Sequence, residues 1–339
     1  MKTYYFLLFL LCFNFTHAQE DTINSYVEEG ISHHEDGNYD KAIETYKKAL
    51  KIEPKSSLVN YEISLTYFYM RDYENAIKHS DIVIKNNDKH LKEAYLTKGS
   101  SLDNLGKTQE SIKLLKKGIK KFKNEGLMYY NLALNYYRLQ DFKNAEDIIA
   151  QGIEVKKDHP SSHLVLGYIN YNNKKRAQAL MNLHYFLFLE PNTARAKEAA
   201  NLVQTIMKSN VSRDNNKPNT INISLSFPDE DDDFGPAELM ISMLEASKSL
   251  EENEGKTEDE LFIENTDSFF TVLGELKKKK HASIYWDFYV PFFYALAKSE
   301  HMAAYCYYVM QSVNPNSETW LDTNSDKLSN FDEWLNQSE

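Results

Sequence analysis

The 339-residue chain has little of what stiffens or turns a small fold: two cysteines, Cys12 and Cys306, eight prolines and eleven glycines. Two cysteines exclude a disulfide-built scaffold. Scarce glycine and proline argue against a turn-rich β-sandwich and for helices. Basic residues are in deficit, 39 Lys and Arg against 50 Asp and Glu for a net charge of −11. No nucleic-acid footprint is expected, since that needs a basic face. A Gly-rich phosphate loop and a nucleophile-elbow sequence are both missing, so no catalytic set and no cofactor are predicted. What the chain does have is 42% hydrophobic residues, enough for packed cores, and 23 tyrosines. Tyrosine offers contact area with a polar tip and serves cores and binding surfaces alike.

The N-terminus has the three-part form of a secretory signal. Lys2 supplies the charge, Tyr4 to Phe15 is apolar apart from Asn14, and Thr16-His17-Ala18 ends on a small residue. The apolar stretch is shorter than the roughly 20 residues a membrane span takes. Leu11 stands before Cys12 where a lipid-attachment site wants a small residue. The expectation is cleavage near Ala18, export to a periplasmic or extracellular compartment, and no membrane insertion afterwards. Cys306 is then the remaining cysteine. Its neighbours Tyr305, Tyr307 and Tyr308 predict a buried, inert thiol.

Internal repetition dominates residues 23 to about 193. Five segments, Gly37–Pro54, Arg71–Asp88, Gly106–Lys123, Gln140–Lys157 and Lys174–Pro191, carry a small residue at Ala42, Ala76, Ser111, Ala145 and Ala179. These recur every 34 or 35 residues. Four positions later stand Tyr46, Ser80, Leu115, Ile149 and Leu183, on the same helical face. Twelve positions earlier stand Gly30, Ser64, Gly99, Ala133 and Gly167. The pattern is that of two antiparallel helices crossing closely where side chains are small.

With this period and these residues the segment resembles five tandem tetratricopeptide repeats. The third departs from the family pattern in having Ser111 for alanine, and the fifth has Arg176 where an aromatic is expected. The resemblance implies an all-α, right-handed solenoid of about five helix pairs with a concave groove lined by the first helix of each pair. It names no ligand.

Ala194 to Lys208 reads as one more helix, polar on one side, capping the array. Asp214 to Thr220 reads as a linker. Ile221, Ile223, Leu225 and Phe227 then alternate with polar residues, the period of a half-buried strand, with no partner strand evident. Such a segment is expected to pack on the repeats or on the C-terminal helices. Helices are predicted over Ala237–Leu250, Asp267–Lys280, Tyr285–Ala297, His301–Gln311 and Ser325–Asn336, with Pro291 kinking or restarting its helix. The domain reading is therefore a signal at 1–18, the repeat array with its cap at 19–213, an extended acidic linker at 214–236 and a helical module at 237–339.

Sites that imitate chemistry have plainer readings. Asp322, Asn324, Asp326 and Glu333 fall at EF-hand places, but Lys327 occupies the glycine place. Asp229, Asp231 and Asp233 read as a solvated acidic run. His33 and His34 lack a metalloprotease partner, and His33 is expected to pack in the core. His159 and His163 are separated by a helix start at Pro160. Lys277 to Lys280 suits a helix C-terminus, and the lysines of Ile112–Lys123 suit a solvated outer face. No metal site is predicted.

The groove is the informative surface. With Ile63, Ser64 and Tyr67 facing the partner helix, Tyr61, Leu65, Phe68 and Tyr69 point elsewhere. Equivalent faces offer Tyr130, Asn131, Leu134, Tyr137 and Arg138, then Tyr168, Tyr171 and Asn172, and the first repeat offers Val27, Ile31 and His34. Relatives that clamp a C-terminal carboxylate use Lys and Asn early in the array; Val27 and Ile31 here argue against that mode. The function expected is a protein-interaction scaffold that binds a peptide or protein partner through this groove. The alternative is a ligand-binding or enzymatic C-terminal module carried on a repeat arm, which a cleft with convergent polar groups within 237–339 would favour.

Overall fold

The computed structural model describes residues 21–214, 217–224, 233–248, 250–276 and 283–337. The expected signal, Leu225 and Phe227, the acids 229–232 and Lys277–Lys280 lie outside the described residues. The chain forms two compact units, Met1–Leu139 and Gln140–Glu339.

Unit 1 is a row of helices: α1 (residues 21–35), α2 (Tyr39–Ile52), α3 (Ser57–Tyr69), α4 (Tyr73–Asn86), α5 (Leu91–Asn104), α6 (Thr108–Lys121) and α7 (Gly126–Arg138). The repeated small residues explain the pairing. A Cβ on Gly30 would stand 2.2 Å from the Tyr46 ring, and one on Gly99 would stand 2.8 Å from Leu115. The glycine of the first helix thus makes room for the large residue four places beyond the small one in the second. The second repeat meets the same demand with Ser64 and Ser80, both fully buried. Val27, Ala42, Ile43, Tyr46, Ala49, Val59 and Ile63 form one continuous cluster, so each pair is closed by the next. Gly37 and Gly106 end their helices at φ of 74° and 75°, the left-handed region that spares glycine a Cβ clash.

Unit 2 contains α8 (Phe142–Val155), α9 (Pro160–Asn172), α10 (Arg176–Leu189), α11 (Ala194–Lys208), strands β1 (Val211–Asp214) and β2 (Lys217–Ile223), then α12 (Gly235–Ser247), α13 (Glu258–Glu275), α14 (Val290–Ala297), α15 (Met302–Val309), α16 (Ser317–Thr323) and α17 (Ser325–Gln337). The fifth repeat therefore groups with the C-terminal helices, whereas the sequence suggested a division near residue 213. The reason lies in α10, whose residues Arg176 to Leu187 are all buried. Hydroxyls of the C-terminal helices reach into α9 and α10. Tyr289 Oη lies 2.6 Å from His163 Nδ1, Asn170 Nδ2 donates to Tyr285 Oη at 2.6 Å, and Tyr305 Oη lies 3.1 Å from His184 Nδ1. Phe270 stacks on Phe293 at 4.3 Å behind them. Arg176, the departure from the repeat pattern, donates from Nε to Glu238 of α12 at 2.9 Å and from Nη2 to the Glu238 carbonyl at 2.7 Å. The other Glu238 oxygen accepts from the Ala177 amide at 2.8 Å.

Four local expectations change. The segment from Ile221 does have a partner strand: β2 runs antiparallel to β1, with Val211 opposite Ile223 and Arg213 opposite Ile221. The run read as a linker supplies the start of β2, and the hairpin lies beside α12. Second, α11 matches its expected span, but α12 packs on it, so it is not an end cap. Third, α13 starts nine residues before Asp267, at a capping box in which Thr257 and Glu260 bond reciprocally. Fourth, Pro291 does not break its helix: the helical path runs without interruption through a π-turn at Tyr285–Tyr289 into α14, with Pro291 in the first turn of α14.

Candidate functional site

On unit 1 one residue expected on the groove, Val27, packs in the core instead, because it meets Ala42, Tyr46 and their neighbours across the first helix pair. Ile31, His34 and the nine others lie outside the fully buried set. Tyr61, Leu65, Phe68, Tyr130, Asn131, Leu134 and Tyr137 are half-buried, and Tyr69 and Arg138 are exposed. Ile63 and Ser64 are fully buried and Tyr67 stacks on His79 of α4, as the helical period requires.

The rings form two clusters. His34 of α1 meets Tyr69 edge-on at 5.0 Å and Tyr39 at 5.2 Å, while Tyr39 and Tyr69 face one another at 6.3 Å. His34 is fixed by its Nδ1, 2.8 Å from Thr66 Oγ1. Burial lowers its pKa. Tyr61 stacks almost flat on His90 at 5.2 Å, and burial lifts its phenol to about 12.

Towards α7 the face becomes polar. Asn131 Nδ2 donates to Ser100 Oγ at 3.3 Å. Arg138 Nη2 lies 3.2 Å from Asp103, whose other oxygen accepts from Thr108 at 2.8 Å. Asn135, turned so that its amide nitrogen faces Asp103 at 3.1 Å, completes the network with Ser111. Arg138 is thus tied to Asp103 rather than held ready for an anion.

Sequence reasoning passed over α5 and Glu62. Ser100 and Asp103 stand 35 residues after Leu65 and Phe68, so the repeat period itself points to them. Glu62 precedes Ile63 on α3. Burial pushes its carboxyl up to about 7, and among the described residues no ion pair or side-chain hydrogen bond compensates it.

On unit 2, Tyr168, Tyr171 and Asn172 share the last turns of α9. Asn172 Nδ2 donates to the Tyr168 carbonyl at 2.8 Å, and Tyr171 is 42% exposed. The opposite side of α9 is given to His163 and Asn170. Unit 2 also holds a pocket of about 380 Å³ lined by Met207, Lys208, Asp259, Phe262, Asn265 and Asn314, among others. Its Asp259 is engaged, accepting from Asn314 at 3.0 Å, Asn316 at 2.9 Å and Tyr307 at 3.3 Å.

The remaining sequence candidates resolve on geometry. Residues from Ser325 are helical, so Asp326 and Glu333 belong to α17 and not to a calcium loop. Among the described residues no group of three His, Cys, Asp or Glu can hold a metal ion. His33 is not in the core: it is part-exposed with Nε2 3.8 Å from Glu29, and its neighbour His34 does the packing. His159 precedes the first residue of α9 while His163 is fully buried within it. Cys306 is buried, and burial raises its thiol pKa. The lysines at 113, 116, 117 and 120 are exposed. No helix among the described residues is long and apolar enough to cross a membrane.

Comparison with known proteins matches the family described as anaphase-promoting complex, cyclosome, subunit 3 to residues 35–118, and the tetratricopeptide repeat to residues 127–159. The TPR repeat-containing protein MJ1428 of Methanocaldococcus jannaschii is 26% identical over 136 residues, 40% of this chain. The chain spans 24% of the length of that curated relative. Among solved structures, Pseudomonas aeruginosa PilF is similar over 56% of this chain and 90% of its own, at 15% identity and a TM-score of 0.49. PilW, a type IV pilus biogenesis factor, is similar over 55% of this chain and 84% of its own, at 16% identity and a TM-score of 0.49. Repeat period, close-packed helix pairs and family matches agree: the fold is an all-α tetratricopeptide-repeat fold.

Proposed function

We propose that this chain is an exported, non-enzymatic interaction scaffold whose first-helix faces bind an extended peptide or a partner segment. The observation that carries the reading is the ladder on α1, α3, α5 and α7, where aromatic rings with polar tips alternate with amides and hydroxyls outside the core. Such residues combine contact area with hydrogen bonding, as protein-binding surfaces do. On unit 2, taken by itself, Tyr168, Tyr171 and Asn172 have the same chemistry. Export rests on the Lys2-to-Ala18 pattern, and N-terminal sequencing of the native protein should begin at Gln19. The non-enzymatic reading rests on the lack of a catalytic set in the sequence and on the three donors that occupy Asp259 in the unit 2 pocket. The test is selection of random octapeptides on the immobilised full chain. Bound peptides should weaken at least tenfold with Tyr69→Ala and Tyr130→Ala together. Peptides that bind the double variant as tightly as the wild type would overturn the groove reading.

A further inference from the structure

The two helical layers of unit 1 carry opposite charge. Its first helices, α1, α3, α5 and α7, hold seven acids against three bases; its second helices, α2, α4 and α6, hold five acids against eleven bases. The aromatic ladder belongs to the acidic layer. Other sequestered charge there is internally matched: buried Asp103 has Arg138 and Thr108, and half-buried Glu93 has Lys92 at 3.9 Å. Glu62 is the exception. It shares one face of α3 with Leu65 and Tyr69, at helical spacings of three and seven. Its charge adds to burial in raising the phenols of Tyr46 and Tyr61, so the carboxylate stands among rings.

We infer that this face takes an extended segment bearing a lysine or arginine, and that Glu62 receives the cation. The inference rests on the groove reading above and specifies its partner. An uncompensated carboxylate in a half-desolvated place costs the free protein; a ligand cation removes that cost, and a neutral or acidic residue leaves it or worsens it. The flanking rings suit the rest of such a side chain. The stem of lysine or the plane of arginine lies along tyrosine faces while its head seeks the carboxylate. Glu28 and Glu35 on α1 are exposed and, among the described residues, without ion pairs, and they add the same sign to the approach. The Lys-rich second-helix layer repels the same segment, so the ligand has one side of unit 1 to choose.

The experiment selects random octapeptides on the full chain and on three variants, Glu62→Gln, Glu62→Lys and Tyr69→Ala with Tyr130→Ala. Circular dichroism checks that each is folded. Wild-type binders should be enriched in lysine or arginine. Their affinity should fall about tenfold with Glu62→Gln, and replacing the peptide's basic residue with glutamine should cost as much on the wild type and little on Glu62→Gln. On Glu62→Lys the selection should move to acidic peptides. Peptides that depend on Tyr69 and Tyr130 but show no basic preference would overturn this inference and leave the groove reading standing. No retained peptide at all would overturn both.

Discussion

The second helix of a repeat meets two fates in this protein. In unit 1, α6 buries five residues and turns its lysines to water; in unit 2, α10 occupies the same repeat position and buries twelve. The difference is written in composition. After its first residue α10 carries no charged side chain, and its apolar residues run round the helix instead of along one stripe, as a helix covered on all sides requires. One repeat architecture thus presents either a solvated outer face or a docking face, and a handful of polar residues keys the cover in place. Arg176 is one such key, standing where other repeats carry Tyr39, Tyr73 and Phe142.

The comparison breaks most directly at Arg176. Its ion pair with Glu238 is almost fully enclosed, with side-chain exposures of 8% and 1%. Removing one partner strands a buried charge, which costs about 3–5 kcal/mol. Arg176→Ala should loosen α12 in amide exchange while α3 keeps wild-type protection. Arg176→Met with Glu238→Leu should recover most of the loss. If the single variant leaves α12 protected, the ion pair does not hold the cover.

Acid should separate the regions next. Burial pushes His184 to about 3 and His163 to about 4, against 6.5 for an open chain. Both bases are neutral in the folded state, so the unfolded chain binds more protons below pH about 6.5. Their contribution is steady above that value and is lost as pH falls from about 6.5 towards 4 and 3. At full extent this amounts to about 3 kcal/mol for His163 and about 5 kcal/mol for His184. Glu62 has the opposite sign. Its raised pKa destabilises unit 1 above the ordinary carboxylate range, and protonation relieves that as pH falls through about 7. Exchange measured at pH 7.5 and pH 5 should show α10 losing protection. Glu62→Gln should stabilise α3 at the higher pH by about 1 kcal/mol after discounting for solvent screening. His163→Gln, which keeps a partner for Tyr289, should flatten the unit 2 response.

How much of this was legible follows from where the information sits. The repeats are local and periodic, so Gly30 with Tyr46, or Gly99 with Leu115, can be found by spacing. That Tyr61, Tyr69, Tyr130 and Tyr137, proposed above for the groove, leave the core follows from the same count, since helical period fixes which side chains face outward; Val27 is the exception. The grouping of the fifth repeat with the C-terminal helices rests on pairs such as His163 with Tyr289 and Asn170 with Tyr285, more than a hundred residues apart. No periodicity announces those. The one signal was Arg176, visible as a departure from the repeat pattern but not as half of an ion pair. The β1–β2 hairpin was half visible: alternation marks Ile221 and Ile223, while β1 is too short at four residues to show a period. Glu62 was missed because a lone glutamate between Tyr61 and the core residue Ile63 looks solvated in the sequence, where its burial does not show.

The smallest expected effect tests whether the shared repeat turn is indifferent to what its helices pack against. Gly37, Arg71, Gly106, Gln140 and Lys174 occupy one equivalent place, and all have positive φ, between 58° and 75°. An L-residue there bears about 1–2 kcal/mol of strain that glycine does not. Glycine in turn adds freedom to the unfolded chain, which offsets about 0.5–1 kcal/mol. Arg71→Gly should therefore stabilise unit 1, and Lys174→Gly unit 2, each by about 0.5 kcal/mol. Gly37→Ala should destabilise by about 1 kcal/mol, and denaturant titration read by exchange of the adjoining helices measures all three. Equal gains at Arg71 and Lys174 would mean that the turn is a local device, strained alike beside a solvated second helix and a covered one. A gain at Arg71 with a loss at Lys174 would mean that the C-terminal helices use the lysine side chain itself, and that their hold on the fifth repeat reaches past Arg176 into the turn.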